Sequence, residues 1–314
     1  MRIVFMGTPD FAAGILEDLA RDHEILSAYT MPDKVRSRGR RTSPSPVKEA
    51  AERLGIPVRT PDTLKAPEEL SRLEAMAPDA ICVAAYGKIL PKEVLTVPRY
   101  ACLNVHASLL PKWRGAAPVE RAILSGDDVA GISIMRMEEG LDTGDYCLQA
   151  KTDASGKNAA ELTAELSDIG SKALSEALNL LESGEITWTA QTEDQATYAD
   201  KIDNTELFLD PTCTFEANVR RVLASGSTHP AKLRLDGVDI AALEAIAVSK
   251  QYAPEADADP GGVLAMKKRL LLKASDGWME LLRIKPAGRK AMDAASYLAG
   301  ARLSTDASWS ALNE

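Results

Sequence analysis

The residues with the clearest chemical potential are an asparagine and a histidine two positions apart, Asn104 and His106. They end an apolar segment, Cys102 to His106, whose composition predicts a β-strand. Since successive side chains of a strand point to opposite faces, Asn104 and His106 would share one face, with alpha-carbons about 6–7 Å apart. An amide can stabilise a developing oxyanion, and an imidazole can move a proton. The pair therefore indicates acyl-transfer chemistry.

A carboxylate that could orient the histidine follows at Asp142, in the sequence Leu-Asp-Thr-Gly-Asp. Taken alone, Asp142 would be interpreted as a turn residue, because Asp-Thr-Gly is ordinary turn chemistry. An Asn-x-His pair alone is also more often a hydrogen-bonded pair at a strand edge than a catalytic one. The Pro- and Gly-containing loop after His106 favours catalysis, since open α/β sheets bind ligands at the carboxyl ends of their strands.

Composition narrows the class of protein. The chain has 314 residues, 45% of them hydrophobic and 26% charged, which is typical of a globular protein long enough for two domains. No apolar run reaches membrane-spanning length and the amino terminus is no signal peptide, so we expect no membrane association. Three histidines lie far apart, which predicts no metal site. The four cysteines form no Cys-x-x-Cys pair, so we expect a cytoplasmic protein. They are Cys82, Cys102, Cys147 and Cys213.

Charge is distributed unevenly. The net charge is −9, but residues 264–292 contain eight Lys and Arg against two acids, and a second basic cluster precedes residue 42. A run of this kind is usually a solvated loop, yet backbone phosphates are the groups that it would contact best. Phosphate or RNA contact therefore stays open beside the solvated-loop interpretation. The basic cluster consists of Lys34, Arg36, Arg38, Arg40 and Arg41.

The order of predicted elements positions these residues. Strand and helix signals alternate in the first half, which predicts a parallel sheet with helices on its faces. The first glycine turn, at Gly7, lacks the Gly-x-Gly-x-x-Gly spacing of dinucleotide sites, which disfavours a nicotinamide oxidoreductase. After Gly184 a polar connector is followed by short strand signals that suggest a small barrel. We expect domains at 1–186 and 206–314, joined by a linker at 187–205.

With these motifs the chain resembles the methionyl-tRNA formyltransferases, members of the folate-dependent formyltransferase family, nearly from end to end. The long motif that contains Asn104 and His106 is highly specific for this family, and the basic cluster with the C-terminal domain points to the members that act on tRNA. The matching segments are Phe5–Phe11, Ser43–Lys48, Ala85–Pro91, Asn104–Pro118, Gly140–Asp145 and Pro286–Met292.

The resemblance implies an α/β fold: a Rossmann-like formyltransferase domain followed by a C-terminal OB-like β-barrel domain that binds tRNA. The reaction would transfer the formyl group of 10-formyltetrahydrofolate to the α-amino group of initiator methionyl-tRNA, without a metal. Asn104, His106 and Asp142 match the family's catalytic residues. The family's folate-binding positions match Ser108, Leu109, Leu110 and Pro111, together with the backbone of Lys88, Ile89 and Leu90. The tRNA-contacting insertion matches Lys34, Arg36, Arg38, Arg40 and Arg41.

Two segments depart from the family pattern, namely Phe208–Pro211 and Ala224–Pro230, and both lie outside the catalytic motifs. Two rival functions remain beside the nicotinamide enzyme. One is a formyltransferase acting on a small amine such as an amino sugar nucleotide, which would not need the basic cluster. The other is an RNA-binding protein that kept the fold and lost catalysis. Nothing in the chain resembles a dimerisation helix, so we expect a monomer.

Overall fold

The alternating strand and helix signals form regular elements in the computed structural model, which describes residues 1–35, 42–249, 251, 254, 258–266, 268–304 and 306–312. The strands are β1 (Arg2–Gly7), β2 (Glu24–Tyr29), β3 (Lys34–Val35), β4 (Thr42–Ser43), β5 (Val58–Arg59), β6 (Ala80–Ala84), β7 (Ala101–His106), β8 (Arg114–Gly115), β9 (Val129–Arg136), β10 (Tyr146–Asp153), β11 (Tyr198–Ala199), β12 (Ala231–Leu235), β13 (Val238–Ala247), β14 (Val263–Met266), β15 (Arg269–Lys273), β16 (Trp278–Pro286), β17 (Met292–Asp293) and β18 (Trp309–Ser310).

Helices alternate with strands mainly in the first half of the chain. The α-helices are α1 (Asp10–Asp22), α2 (Pro46–Arg53), α3 (Pro67–Met76), α4 (Lys92–Leu95), α5 (Pro118–Ser125), α6 (Ala159–Ser183), α7 (Phe215–Ala224) and α8 (Ala294–Gly300). Two short 3₁₀ helices cover Glu193–Gln195 and Asn204–Leu207. None of the helices described is long and apolar enough to cross a membrane.

Seven strands form the sheet that carries the Asn-x-His pair, in the order β10-β9-β7-β6-β1-β2-β5. The pairs from β5 to β7 are parallel, as predicted, whereas β7–β9 and β9–β10 are antiparallel. The sheet is therefore mixed, with an antiparallel edge on a parallel core, which is common in α/β folds. Strand β7 lies between a parallel and an antiparallel neighbour.

The central strands form because their sequences are apolar on both faces. All five residues of β6 are buried, as are Ile3 to Met6 of β1. Helices cover both faces of such a sheet, so continuous apolar runs replace the alternating pattern of a half-exposed strand. Helix α2 begins at a proline, and the Ser45 hydroxyl before it accepts a hydrogen bond from Lys48 N at 3.1 Å.

Helix α6 packs closely against the strands that carry the site. A Cβ at Gly170 would lie 3.0 Å from Val105 Cγ1 in β7 and 3.5 Å from Ile132 Cδ1 in β9. These distances leave almost no room for a methyl group. A glycine at position 170 therefore allows α6 to pack closely against β7. The leucines predicted for the inner side of this helix, among them Leu162, Leu166 and Leu174, are buried. The helix thus packs on the face of β7 opposite to the face that carries Asn104 and His106.

The C-terminal strands form a nearly closed antiparallel barrel sheet, consistent with the predicted OB-like fold. The strand order is β14-β15-β16-β13-β12-β18, with β17 paired to β16. A bridge between Gly262 and Ser308, just before β14 and β18, joins the two edge strands, and Trp309 N donates to Gly261 O at 2.8 Å. Buried aliphatic side chains and Trp309 fill the interior. The short strand signals in this half were correctly interpreted.

The chain divides into two compact units. The first comprises Met1–Pro118, Val129–Asp153 and Leu162–Ala199, and the second comprises Val119–Asp128, Ala154–Glu161 and Asp200–Glu314. Most of the polar stretch expected as a connector, up to Ala199, belongs to the first unit. The domain boundaries at residues 186 and 206 stay a prediction.

Candidate active site

Strand β7 brings Asn104 and His106 to the carboxyl end of the parallel part of the sheet. Asn104 is paired with Val83 of β6 and Met135 of β9, and His106 is paired with Ser133 of β9. The two residues share a strand face because they are two positions apart. His106 is 5% exposed. The side chain of Asn104 is half-buried and makes no hydrogen bond to any residue in the described part of the chain, so its amide is available to a ligand.

Both ring nitrogens of His106 face oxygen acceptors. Nε2 lies 2.9 Å from the Trp113 carbonyl oxygen, and Nδ1 lies 3.6 Å from Asp142 Oδ2. A carbonyl oxygen can only accept, so Nε2 carries a hydrogen. A hydrogen on Nδ1 would point toward the Asp142 carboxylate. Because 3.6 Å exceeds hydrogen-bond distance, that hydrogen is not committed to Asp142.

Asp142 is held in an unusual backbone conformation. Its φ is +52°, in the left-handed region that few L-residues other than Asn and Asp adopt. Its Oδ2 accepts a hydrogen bond from Gly115 N at 2.9 Å, and this bond turns the carboxylate toward β7. Gly115 has a φ of +125°, and a Cβ there would lie 2.7 Å from the Ala199 oxygen, so a glycine is required. The Asp-Thr-Gly turn and the Trp-Arg-Gly loop therefore meet around His106.

The loop predicted to contact folate follows His106 directly. Ser108 and Leu110 are buried, and Leu109 and Pro111 are half-buried. The peptide bond between Leu110 and Pro111 is cis. Two side chains from the neighbouring strands hold this loop, and neither was singled out by the sequence. Ser133 Oγ donates to Ser108 O at 2.7 Å and accepts from Leu110 N at 2.9 Å, while Gln149 Nε2 donates to Leu110 O at 2.8 Å.

The second predicted folate segment, Lys88 to Leu90, follows β6, the parallel neighbour of β7. It therefore leaves the same edge of the sheet as the Asn-x-His pair. Leu90 is 4% exposed and anchors the segment, whereas the Ile89 side chain is 88% exposed. Lys88 Nζ donates to the backbone oxygens of Pro61 and Asp62. No described residue makes a hydrogen bond to the backbone N–H or C=O groups of Lys88, Ile89 or Leu90, so these groups are available to a ligand.

The predicted tRNA-contacting residues fall mainly outside the described residues. Arg36, Arg38, Arg40 and Arg41 are not described. Lys34 lies in β3, which pairs with β4 in an antiparallel ladder of two residues each. Among the described residues, no group of three or more His, Cys, Asp or Glu side chains could hold a metal ion.

An ion pair between the buried Arg114 and the exposed Glu193 was not predicted. The Arg114 guanidinium is 1% exposed and donates two hydrogen bonds to the carboxylate of Glu193, at 3.0 and 2.8 Å. This pairing lowers the pKa of Glu193 and raises the pKa of Arg114. The Arg114 Nε donates to Gln191 Oε1 at 2.9 Å. Nothing in the sequence marks Gln191 or Glu193, because they lie in a polar stretch that is typical of a connector.

Comparisons with known proteins agree with this geometry. A profile of the formyl transferase family matches residues 1–178, and a profile of the formyl transferase C-terminal domain matches residues 201–302. The methionyl-tRNA formyltransferase of Methylococcus capsulatus is 42% identical over 313 residues, covering 97% of this chain and 100% of the relative. That of Halorhodospira halophila is 44% identical over 306 residues, covering 96% of this chain and 97% of the relative.

Solved structures share the fold at lower identity. A variant of HypX from Aquifex aeolicus superposes with a TM-score of 0.67 at 20% identity, over 96% of this chain and 49% of that longer chain. The sugar 3N-formyl transferase WlaRD superposes with a TM-score of 0.66 at 14% identity, over 92% of this chain and 99% of that chain. At these identities the likeness is one of fold alone.

Proposed function

The chain belongs to the methionyl-tRNA formyltransferase family, and from that premise we propose that Asn104, His106 and Asp142 carry out its reaction. The protein is a formyltransferase that moves the formyl group of 10-formyltetrahydrofolate to the α-amino group of methionyl-tRNA. One observation supports the assignment of roles above the others. A histidine with acceptors at both nitrogens lies two residues from an asparagine whose amide is free, at the carboxyl end of β7.

In the reaction, the methionine amino group attacks the formyl carbon and an oxyanion develops. We assign its stabilisation to the Asn104 amide and to Nδ1–H of His106, because neither donor is committed to another group. Each such donor contributes about 3–4 kcal/mol in comparable sites. Nε2 of His106 stays bonded to the Trp113 carbonyl oxygen, which fixes the ring while Nδ1 faces the reacting atoms.

The proton must leave the attacking amine and reach the departing nitrogen. Asp142 is a base close to His106, since its Oδ2 lies 3.6 Å from Nδ1. We assign it two tasks, orienting the His106 ring and positioning a water molecule that carries the proton from the amine to the departing nitrogen. Proton transfer by a positioned side chain typically contributes about 10²- to 10⁴-fold in rate.

The formyl donor fits the residues at the edge of the sheet. 10-Formyltetrahydrofolate supplies the formyl group, and its pterin ring carries several hydrogen-bond donors and acceptors. The free backbone groups of Lys88, Ile89 and Leu90 match such a ring, because backbone donors and acceptors alternate along an irregular segment. The loop from Ser108 to Pro111, supported by Ser133, would contact the donor on the side of β7.

The acceptor is proposed to be the initiator tRNA, held by the basic cluster Lys34, Arg36, Arg38, Arg40 and Arg41 and by the C-terminal barrel. Five positive charges without an acid between them suit the phosphates of an acceptor stem. The proposed division is a catalytic domain at 1–186, a linker at 187–205 and a tRNA-binding domain at 206–314. We further propose that the protein acts as a monomer in the cytoplasm.

The test is formyl transfer from 10-formyltetrahydrofolate to methionyl initiator tRNA, measured with the full chain and with His106→Ala. We expect product on the tRNA with the full chain, none on free methionine, and at least a ~10²-fold loss of kcat in the variant. Elongator methionyl-tRNA serves as the control for tRNA choice. Donor binding without product would direct the search to small amines such as amino sugar nucleotides, and a fully active His106→Ala would overturn the catalytic assignment.

A further inference from the structure

Gln191 connects the two segments that meet around His106. Its Nε2 donates to the backbone oxygens of Asp142, at 2.8 Å, and Gly144, at 2.7 Å. Its Oε1 accepts from Arg114 Nε at 2.9 Å. Both amide hydrogens and the amide oxygen are therefore bonded. We infer that Gln191 is a positioning residue for the proposed catalytic Asp142, and that the polar stretch 187–199 is part of the active-site scaffold.

Arg114 determines which way the Gln191 amide points. A guanidinium has only donors, so the Gln191 oxygen must face it and the NH₂ group must face the turn. Arg114 is itself held in place, since it is 1% exposed and binds Glu193 through two hydrogen bonds. The buried Arg114 side chain therefore makes the NH₂ group of Gln191 point toward the turn that carries Asp142.

The turn that carries Asp142 needs such support. The φ of +52° at Asp142 is disfavoured for an L-residue, and a Cβ at Gly144 would lie 1.9 Å from the Arg136 oxygen. Without Gln191 two carbonyl oxygens of the turn would lose their hydrogen bonds. The carboxylate bond to Gly115 N and the 3.6 Å approach to His106 Nδ1 depend on where this turn lies.

The stretch 187–199 is also fixed to the loop on the other side of His106. Trp113 N donates to Thr197 Oγ1 at 2.9 Å, and Arg114 N donates to Thr197 O at 2.8 Å. Strand β11 pairs with β8 in parallel, and Thr189 pairs with Tyr146. One short polar segment therefore holds both the carbonyl that binds His106 Nε2 and the carboxylate that faces Nδ1.

The sharpest test is Gln191→Glu, which keeps the shape and the Arg114 contact but turns the donor nitrogen into an acceptor facing two carbonyl oxygens. We expect kcat to fall about 10- to 100-fold, because small displacements of catalytic groups have effects of this size. KM for both substrates should stay within about threefold, since no binding contact is removed. Asn179→Asp is the control: the same change of an amide to a carboxylate, on an exposed residue of α6, should leave kcat unchanged.

Combination with Asp142→Asn separates positioning from general destabilisation. If Gln191 acts through Asp142, Gln191→Glu should change kcat by less than about twofold once Asp142 is replaced, because coupled residues are not additive. The inference rests on the proposed role of Asp142, so the single variants separate the two failures. An impaired Asp142→Asn with a fully active Gln191→Glu, or equal losses in both backgrounds, overturns the positioning role alone. A fully active Asp142→Asn overturns the assignment of Asp142 and the inference with it.

Discussion

The free amide of Asn104 is the most informative single side chain in the protein. Most buried polar groups in a folded chain are satisfied by a neighbour or by ordered water. Asn218 in α7 is such a group, since its amide bonds Asp210 N at 2.8 Å, Asp210 O at 2.8 Å and Thr214 O at 3.1 Å. Asn104 has no such partner among the described residues, which supports its proposed role toward a ligand.

We therefore predict opposite effects for the two asparagines. Asn104→Ala should lower kcat about 10²- to 10³-fold, because it removes one of the two proposed oxyanion donors. Its free energy of unfolding should change by less than about 1 kcal/mol, since no hydrogen bond is lost. Asn218→Ala should cost about 1–3 kcal/mol and leave kcat at saturating tRNA unaltered. Urea unfolding and steady-state rates distinguish the pair, and a stability loss without a rate loss in Asn104→Ala would contradict the assignment.

The loop after β7 owes its shape to the two antiparallel strands beside it. Ser133 is fully buried in β9 and makes three hydrogen bonds that involve Ser108, Leu110 and Gln149. Gln149 comes from β10, so the loop is joined to both strands of the antiparallel edge. In this mixed sheet, the two antiparallel strands therefore support the loop that follows β7.

Removal of the Ser133 hydroxyl should separate loop support from chemistry. Ser133→Ala leaves Leu110 N–H and Ser108 C=O unpaired in a buried place, which should cost about 1–3 kcal/mol of stability. The dissociation constant of the formyl donor should rise, because the loop that is proposed to contact the donor loses its support. Donor titration and urea unfolding measure the two effects. Ser183→Ala, at the exposed end of α6, is the control, and unchanged donor affinity in Ser133→Ala would count against the loop's role in folate binding.

At the scale of the whole molecule, an acidic protein has to bind a polyanion. The net charge of −9 is repulsive on average, so tRNA affinity must come from local positive clusters. The Debye length of about 8 Å at physiological salt allows this, because distant acidic groups are largely screened. The cluster from Lys34 to Arg41 is the densest one, and we expect it to supply binding rather than catalysis.

The double variant Arg40→Ala, Arg41→Ala should weaken tRNA binding and leave donor binding intact. Loss of two phosphate contacts should also make the salt dependence of the tRNA dissociation constant shallower, by roughly 0.7–0.9 per contact on logarithmic axes. Filter binding at several salt concentrations provides this slope. Lys151→Ala, Lys172→Ala removes the same charge from exposed positions of the first unit and should have little effect. Equal loss of donor and tRNA binding would refute the separation of the two roles.

The sequence by itself determined the parts whose signals are local. Asn104 and His106 share a face because alternation along a strand is a property of neighbouring residues, and their carboxyl-end position followed from the order of strand and helix signals. The buried run of β6 and the short strands of the barrel were recognisable for the same reason. The family was evident from contiguous motifs, since these keep both the residue types and their spacing.

The tertiary structure decided whatever depends on residues far apart in the chain. The direction of β9 was not predictable, because an apolar strand pairs equally well in either direction until its neighbours are placed. Gln191 and Glu193 belong to a stretch with the composition of a connector, yet they bond residues 47 to 79 positions away. The sequence does not indicate which distant carbonyl group a polar side chain will contact. Only the folded chain brings the donors of Gln191 to the turn that carries Asp142.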